Sequence, residues 1–296
     1  MSAAVPEIRM DTNIILLGCG NMGQALLGGW LARGVDRKRL RVVDREAGAI
    51  SSAQSLNVFA STELSRVLEG FNVDLVVLAV KPQNLEALLP AYRRLADSGT
   101  LFLSVAAGKP ISFYEGILGK GVALVRAMPN MPAAIHQGIT VLCPNPNVQS
   151  GQRKLIGDLM SAIGEIAWLE KEGAMDAVTA VSGSGPAYVF LLIEGLTKAG
   201  IEVGLEEKLA KQLAEATVAG AGAYAMQVES GAAELREQVT SPGGTTAAAL
   251  EVLMGDDAFN ALLKKAVRAA TDQRPLEHRR AHSPVAHTRC LSLIHI

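Results

Sequence analysis

The sequence predicts an α/β chain, with a mostly parallel sheet domain over residues 1–170 and an all-α half over residues 171–273. Three observations carry this. Short apolar runs of strand length alternate with helical patterns through the first part, which is the rhythm of a sheet covered on both faces by crossover helices. A glycine-rich stretch closes the first run and opens the first helix. From Gly173 onward the alternation stops and helical periodicity takes over.

In chain order, the expected strands are residues 14–17, 40–43, 75–80, 101–105 and 122–128, and a short one near 164–170 ends the alternation. Each is a mostly apolar run of strand length. Helical patterns fall at 22–33, 47–56, 63–68, 84–95 and 111–118. In the second half, residues 205–228 are the clearest helix, with Leu209, Leu213, Ala216, Ala219 and Ala223 forming a small-residue stripe suited to close helix packing. The apolar stretch 177–193 is broken by Gly183, Gly185 and Pro186, so it is expected to be buried protein, not a membrane span.

Composition narrows the function classes. The 28 basic and 29 acidic residues leave a formal charge of -1, so no global field attracts nucleic acid or an anionic membrane. Cys19, Cys143 and Cys290 are odd in number and scattered, which fits neither a disulfide framework nor a zinc site and points to a reducing compartment. The first 13 residues show no basic segment followed by an apolar core, so a cytoplasmic protein without a secretory signal is expected. Residues 274–296 break the helical pattern and hold four of the five histidines, His278, His282, His287 and His295. Two prolines and the irregular histidine spacing make this tail read as a disordered or foreign extension, from a frameshift or an artificial junction, and no metal site is expected.

Gly18, Cys19, Gly20, Asn21, Met22 and Gly23 form a G-x-G-x-x-G stretch between the first strand and the first helix, the context that makes this motif a Rossmann-type pyrophosphate cradle. Gly18 permits the tight turn, Gly20 lets a pyrophosphate approach the backbone, and Gly23 lets helix and strand pack closely. Asp44 ends the second strand, about 20 residues on, where an acidic side chain accepts from the ribose hydroxyls of NAD. Arg45 follows it and Arg41 is near, so a guanidinium could instead pair with the 2′-phosphate of NADP. The coenzyme is therefore NADPH or NADH, with the preference left open.

Ala79, Val80, Lys81 and Pro82 leave one strand at its carboxyl end, as Ala106, Ala107 and Gly108 leave the next. Ligands of open α/β sheets lie beyond those ends, so both loops are expected to line the nicotinamide half of the crevice; Lys81 is read as a solvated or pairing lysine. Asn130, bracketed by Pro129 and Pro132, sits in a loop of fixed backbone direction. His136, the one histidine outside the tail, is read as a loop residue. Ser241, Pro242, Gly243, Gly244, Thr245 and Thr246 precede an Ala-rich helical run. Exposed glycine backbone, capping hydroxyls and a helix start make this an anion site suited to a small carboxylate.

Residues 18–23, 79–82, 126–130, 181–190 (VSGSGPAYVF) and 239–246 (VTSPGGTT), in that order and spacing, closely resemble pyrroline-5-carboxylate reductase. The resemblance runs from about Asn13 to Asp272. It implies hydride transfer from NAD(P)H to the C=N carbon of 1-pyrroline-5-carboxylate, giving L-proline in the last step of proline biosynthesis. It also implies that Ser241, Gly243, Gly244 and Thr245 hold the substrate carboxylate, that Thr246 lies near the ring nitrogen as the catalytic hydroxyl, and that the helical half is a dimerisation domain. Homodimers, with larger rings of dimers such as a decamer, and substrate sites across the dimer interface follow from the same resemblance. The chemistry needs little beyond positioning, because a cyclic imine is partly protonated near neutrality.

Two other readings use the same layout. A β-hydroxyacid dehydrogenase would carry a catalytic lysine in a G-x-G-x-x-x-K stretch, and here Val189 stands where the lysine would be. A non-catalytic NAD(P)H-sensing dimer would have no use for the second anion site at residues 241–246.

Overall fold

Eight strands form one sheet in the computed structural model, which describes residues 11–273. The strands are β1 (Ile14–Leu17), β2 (Leu40–Val43), β3 (Phe59–Ser61), β4 (Leu75–Leu78), β5 (Leu101–Ser104), β6 (Ala123–Met128), β7 (Gly138–Pro144) and β8 (Gly164–Trp168). Between them lie α1 (Asn21–Ala32), α2 (Ala47–Ser55), α3 (Leu64–Leu68), α4 (Leu85–Leu88), α5 (Arg93–Asp97), α6 (Ile111–Leu118) and α7 (Ser150–Met160). The helical half adds α8 (Met175–Val178), α9 (Gly185–Glu202), α10 (Glu207–Gln227), α11 (Ala232–Gln238), α12 (Thr245–Met254) and α13 (Ala258–Asp272). The expectations for the start of the chain, the tail, its histidines and Cys290 fall outside the described residues.

The sheet order is β3-β2-β1-β4-β5-β6-β7-β8. All neighbours pair in parallel except β6 and β7. That exception follows from chain length: residues 129–137 turn the chain back directly, and a parallel return needs a crossover of about a dozen residues or more. The chain leaves β1 toward β2 on one side and re-enters at β4 on the other, so the topological switch point lies at the carboxyl ends of β1 and β4.

Alternation in the central strands sends successive side chains to opposite faces. Ile14, Leu16, Val42, Val77 and Leu103 join Leu26 and Trp30 of α1 on one face, while Ile15, Leu17, Val76, Leu78 and Phe102 join Leu85, Tyr92 and Tyr114 on the other. Each such fully buried side chain contributes roughly 1.5–3 kcal/mol from removal of its surface from water. Trp30 also donates its indole N–H to the Leu159 carbonyl at 3.1 Å, fastening α1 to the end of α7.

Three elements lie beyond the expected set: β3, β7 and α7. The pattern expected over 84–95 resolves into short turns, with 3-10 segments Pro82–Asn84 and Leu89–Tyr92 flanking α4. Pro90 in that stretch removes an amide donor, which limits continuous α-helix there.

In the helical half, α9 and α10 pack against each other. Gly200 permits the approach: a Cβ there would lie 3.2 Å from the Ala210 Cβ. Helical structure is continuous over residues 172–202, long and apolar enough to cross a membrane by length and composition, yet only 6% of its apolar window is buried within the chain. The expectation that residues 177–193 are buried therefore does not hold inside one chain. Phe190, Leu191, Leu192 and Leu196 of α9 are exposed, as are Leu209 and Leu213 of α10, Leu253 of α12 and Leu262 of α13. Among the described residues, nothing covers these faces.

Candidate active site

The glycine-rich turn sits at the switch point. Its Gly18 has φ 96, a conformation that L side chains rarely adopt, and a Cβ there would lie 2.7 Å from the Ala79 carbonyl oxygen and 2.8 Å from Val80 Cγ1. On Gly23 a Cβ would lie 2.2 Å from the Gly18 carbonyl oxygen. By contrast, a Cβ on Gly20 would meet nothing within 4 Å. The first and third glycines are thus required by the protein's own packing, and the second faces open space. Helix α1 starts at Asn21 with no side-chain cap, so its first amides and positive dipole end are available to an anion. These features fit a dinucleotide pyrophosphate.

Asp44, at the end of β2, binds this turn directly: Oδ2 accepts the Cys19 amide at 2.7 Å and Oδ1 accepts the Glu46 amide at 2.9 Å. Burial, and secondarily the Asp44 charge, push the Cys19 thiol up to about 11. Arg45 is exposed and lies 3.4 Å from the Glu46 carboxylate. Arg41 points elsewhere: Nη1 donates to the Val67 and Glu69 carbonyls at 2.5 and 2.9 Å, and its guanidinium stacks over Phe71 at 4.2 Å and Phe59 at 5.2 Å. Of the two arginines weighed for a 2′-phosphate, Arg41 is committed to the sheet edge.

The loops after β4 and β5 flank the same turn. The Ala79 amide donates to the Leu17 carbonyl at 2.8 Å, and the Val105 amide donates to the Leu78 carbonyl at 3.1 Å, so residues 79–82 and 105–108 emerge side by side at the carboxyl edge. The Lys81 side chain is exposed. Asn130 performs a scaffold task, its Oδ1 accepting the Ile139 amide at 2.9 Å across the β6–β7 return. His136 lies in that return with φ 59, its Nδ1 3.2 Å from the Ala162 carbonyl. The structure thus brings Gly18, Cys19, Gly23, Asp44, Ala79 and Val80 together.

The turn 241–246 lies on the helical half. Gly243 has φ 70, and the Gly244 amide donates to the Ser241 carbonyl at 3.0 Å. A Cβ on Gly244 would lie 2.5 Å from Ser241 Oγ. Helix α12 begins at Thr245 with no side-chain cap, and Ser241, Gly243 and Thr245 are exposed. Within the chain, α12 packs chiefly on α13 and on the turn between them, so the cofactor cradle and this second cradle are carried by separate layers.

Sequence reasoning gave no role to a buried polar network at the junction of the halves. Arg126 of β6 donates to Glu172 Oε1 at 2.6 Å, and the same oxygen accepts the Ile111 amide at 2.9 Å. Ser104 and Tyr114 are buried and hydrogen-bonded at 2.6 Å; burial pushes the Tyr114 hydroxyl up to about 12. An arginine inside a strand pattern was the available signal, since a buried guanidinium requires a partner. Residues 179–183 form a π-helical turn, and Ser182 Oγ there is the one buried side-chain polar atom without a hydrogen-bond partner among the described residues. No group of three or more His, Cys, Asp or Glu able to hold a metal ion occurs among the described residues.

A glycine-rich dinucleotide turn at the switch point of a mostly parallel sheet, joined to a helical half, defines a nicotinamide-dependent oxidoreductase. Comparison with known proteins narrows this. Residues 172–275 match the family model for pyrroline-5-carboxylate reductase dimerisation, and residues 13–108 match that for coenzyme F420-dependent NADP oxidoreductase. The chain is 41% identical over 261 residues to a pyrroline-5-carboxylate reductase of Pseudomonas aeruginosa, covering 88% of this chain and 94% of that one. Identity to the Mycobacterium leprae enzyme of the same name is 38%, over 81% and 88% of the two chains. Among solved structures, a pyrroline-5-carboxylate reductase from Coxiella burnetii superposes with TM-score 0.84 at 35% identity, covering 89% of this chain and 97% of that one. A Plasmodium falciparum pyrroline carboxylate reductase with NADP bound gives 0.74 at 29% identity, covering 88% and 96%. The chain belongs to the pyrroline-5-carboxylate reductase family.

Proposed function

We infer that the chain reduces the C=N bond of 1-pyrroline-5-carboxylate to L-proline with NAD(P)H. The observation that carries the site assignment is the pairing of two uncapped helix starts: α1 behind a glycine turn open at Gly20, and α12 behind the turn at Gly243. Each offers free amides to an anion, and neither presents a charged side chain as the receptor. The first suits a pyrophosphate and the second a carboxylate.

Roles follow residue by residue. Residues 18–23 cradle the pyrophosphate, and Asp44 and Arg45 meet the adenine-side ribose. The loops at Ala79, Val80, Lys81 and Pro82, and at Ala106, Ala107 and Gly108, border the nicotinamide side, with Asn130 supporting the adjacent return. NAD(P)H, when bound, supplies the hydride. Amides of Gly243 and Thr245, with the Ser241 hydroxyl, hold the substrate carboxylate, and Gly244, its own amide bonded to the Ser241 carbonyl, shapes the turn. The Thr246 hydroxyl orients the ring N–H and helps hold its proton, so positioning supplies most of the catalysis.

Because the two cradles lie on separate layers of one chain, we propose that the working site forms across a homodimer, with rings of dimers such as a decamer as the larger assembly. The unpartnered apolar faces of α9, α10, α12 and α13 support this. A cytoplasmic location is supported by the buried free thiols Cys19 and Cys143. Steady-state NADPH and NADH oxidation with five- and six-membered cyclic imino acids tests the reading: turnover of the five-membered imine is expected, and no oxidation of either coenzyme would contradict it.

A further inference from the structure

Residues 105–110, which border the nicotinamide side in the reading above, are fastened by polar contacts at both ends, buried at the near end and partly buried at the far end. At the near end, Ser104 Oγ accepts the Ala106 amide at 3.3 Å and is hydrogen-bonded to the Tyr114 hydroxyl at 2.6 Å. At the far end, the Ile111 amide, first in α6, donates to Glu172 Oε1 at 2.9 Å. Glu172 belongs to the helical half, opening the continuous helical stretch 172–202. The far end of a cofactor-side loop is therefore attached to the same chain's helical half, the half through which the proposed dimer assembles.

The attachment is charged and largely desolvated. Arg126 Nη1 lies 2.6 Å from the same Glu172 oxygen, with side-chain exposures of 7% for Arg126 and 27% for Glu172. An ion pair this sheltered is screened little by salt and fixes both partners directionally. The guanidinium rises from β6, the neighbour of β5 in the sheet, with Arg126 in register beside Ser104. One carboxylate oxygen thus joins three elements: β6, the start of α6 and the start of the helical half. In the sheet, β6 stands three strands from β1, so the pair lies away from the glycine turn that follows β1.

We propose that Glu172, oriented by Arg126, is a positioning residue for hydride transfer: it holds the loop 105–110 in register with the helical half, so that the nicotinamide and the imine meet at one distance and angle. This rests on the reductase reading and adds to it a device that acts on the reacting geometry and not on cofactor affinity. A misplacement of about 1 Å can cost about a hundredfold in rate, so loosening the loop should appear in the chemical step first.

The test uses Glu172→Ala, Glu172→Gln and the double variant Arg126→Met with Glu172→Leu, which removes both charges and leaves no buried ion alone. Wild-type turnover of pyrroline-5-carboxylate is measured first, and its absence would reject the reductase reading separately from the clamp. In the folded, wild-type-sized double variant, kcat is expected to fall at least tenfold while the Kd for NADPH stays within threefold. The primary isotope effect with 4-deuterated NADPH is expected to rise, which a merely structural role would not produce. Glu172→Gln, which keeps an acceptor for Ile111, is expected to restore part of the lost rate relative to Glu172→Ala. Amide exchange at Ile111 in the cofactor-free protein should accelerate in Glu172→Ala. Wild-type kcat in the double variant, unchanged Ile111 exchange, or an equal loss of kcat and NADPH affinity with no change in isotope effect would each overturn the proposal.

Discussion

Asp44 and Cys19 are joined across the mouth of the sheet, the Asp44 carboxylate accepting the Cys19 amide at 2.7 Å. The second strand thereby holds the glycine turn of the first in place before any coenzyme arrives. An acidic residue at this position is usually read as a ribose ligand, and here it is a structural support as well. Asp44→Ala should therefore weaken the protein by about 1–3 kcal/mol, the cost of leaving a buried amide unpaired, and lower coenzyme affinity at least tenfold. Thermal unfolding and fluorescence titration with NADPH and NADH measure the two effects.

The three glycines of the turn should separate in behaviour. Gly20→Ala is expected to keep the wild-type unfolding temperature and lose coenzyme affinity, because its Cβ meets no protein atom within 4 Å. Gly23→Ala should lose both, since its Cβ would fall 2.2 Å from a backbone oxygen, with a stability loss of at least about 1–3 kcal/mol. Paired melting and titration curves for the two variants distinguish these outcomes.

Coenzyme choice is expected to turn on Arg45. Arg41 is held by two carbonyls and two aromatic rings, so Arg45 is the arginine of the two left exposed beside Asp44. Arg45→Ala is expected to raise KM for NADPH several-fold and leave KM for NADH nearly unchanged. Equal effects on both coenzymes would remove Arg45 from 2′-phosphate recognition.

Cys19 should behave as an inert thiol. Burial first, and then the Asp44 charge, raise it from 9.0 to about 11, so the folded protein is expected to resist iodoacetamide at Cys19 at pH 8. The unfolded thiol ionises at the lower pH and the folded one at the higher, so the unfolded chain loses its proton first. This group's contribution to stability is thus present below pH 9 and declines as pH rises through the window from 9.0 to about 11. Comparing the pH dependence of unfolding for Cys19→Ala and wild type isolates it.

The exposed apolar faces of the helical half make assembly testable. Leu191→Asp places a charge on α9 where the single chain leaves the side chain 67% exposed, so the substitution need not disturb the fold within one chain. Sedimentation velocity is expected to show loss of the wild-type oligomer, with reductase activity lost alongside it.

Much of this site was legible in the sequence because its essential parts are backbone. Gly18, Gly20 and Gly23 carry their meaning in the absence of a side chain, and a strand before and a helix after them supply the context. Residues 241–246 read as an anion turn for the same reason, and the structure places them directly before α12. The sequence did not reveal β7, because apolar residues 139–143 give no direction, and only the short return after β6 makes the strand antiparallel. Nor did it show that Arg126 meets Glu172, a pairing between residues 46 apart in the chain that the sheet register and the domain junction create together. The apolar residues of α9 read as core by composition, yet they form surface in one chain, because sequence periodicity does not say whether a face is covered by the same chain or by another copy.

A crystal structure with NADPH and L-proline bound tests the account most directly. The proline carboxylate is predicted within hydrogen-bonding distance of the amides at Gly243 and Thr245, with its ring carbon facing C4 of the nicotinamide and the pyrophosphate over Gly20. A carboxylate held anywhere other than the turn before α12 would contradict the central claim that two uncapped helix starts bring the reactants together.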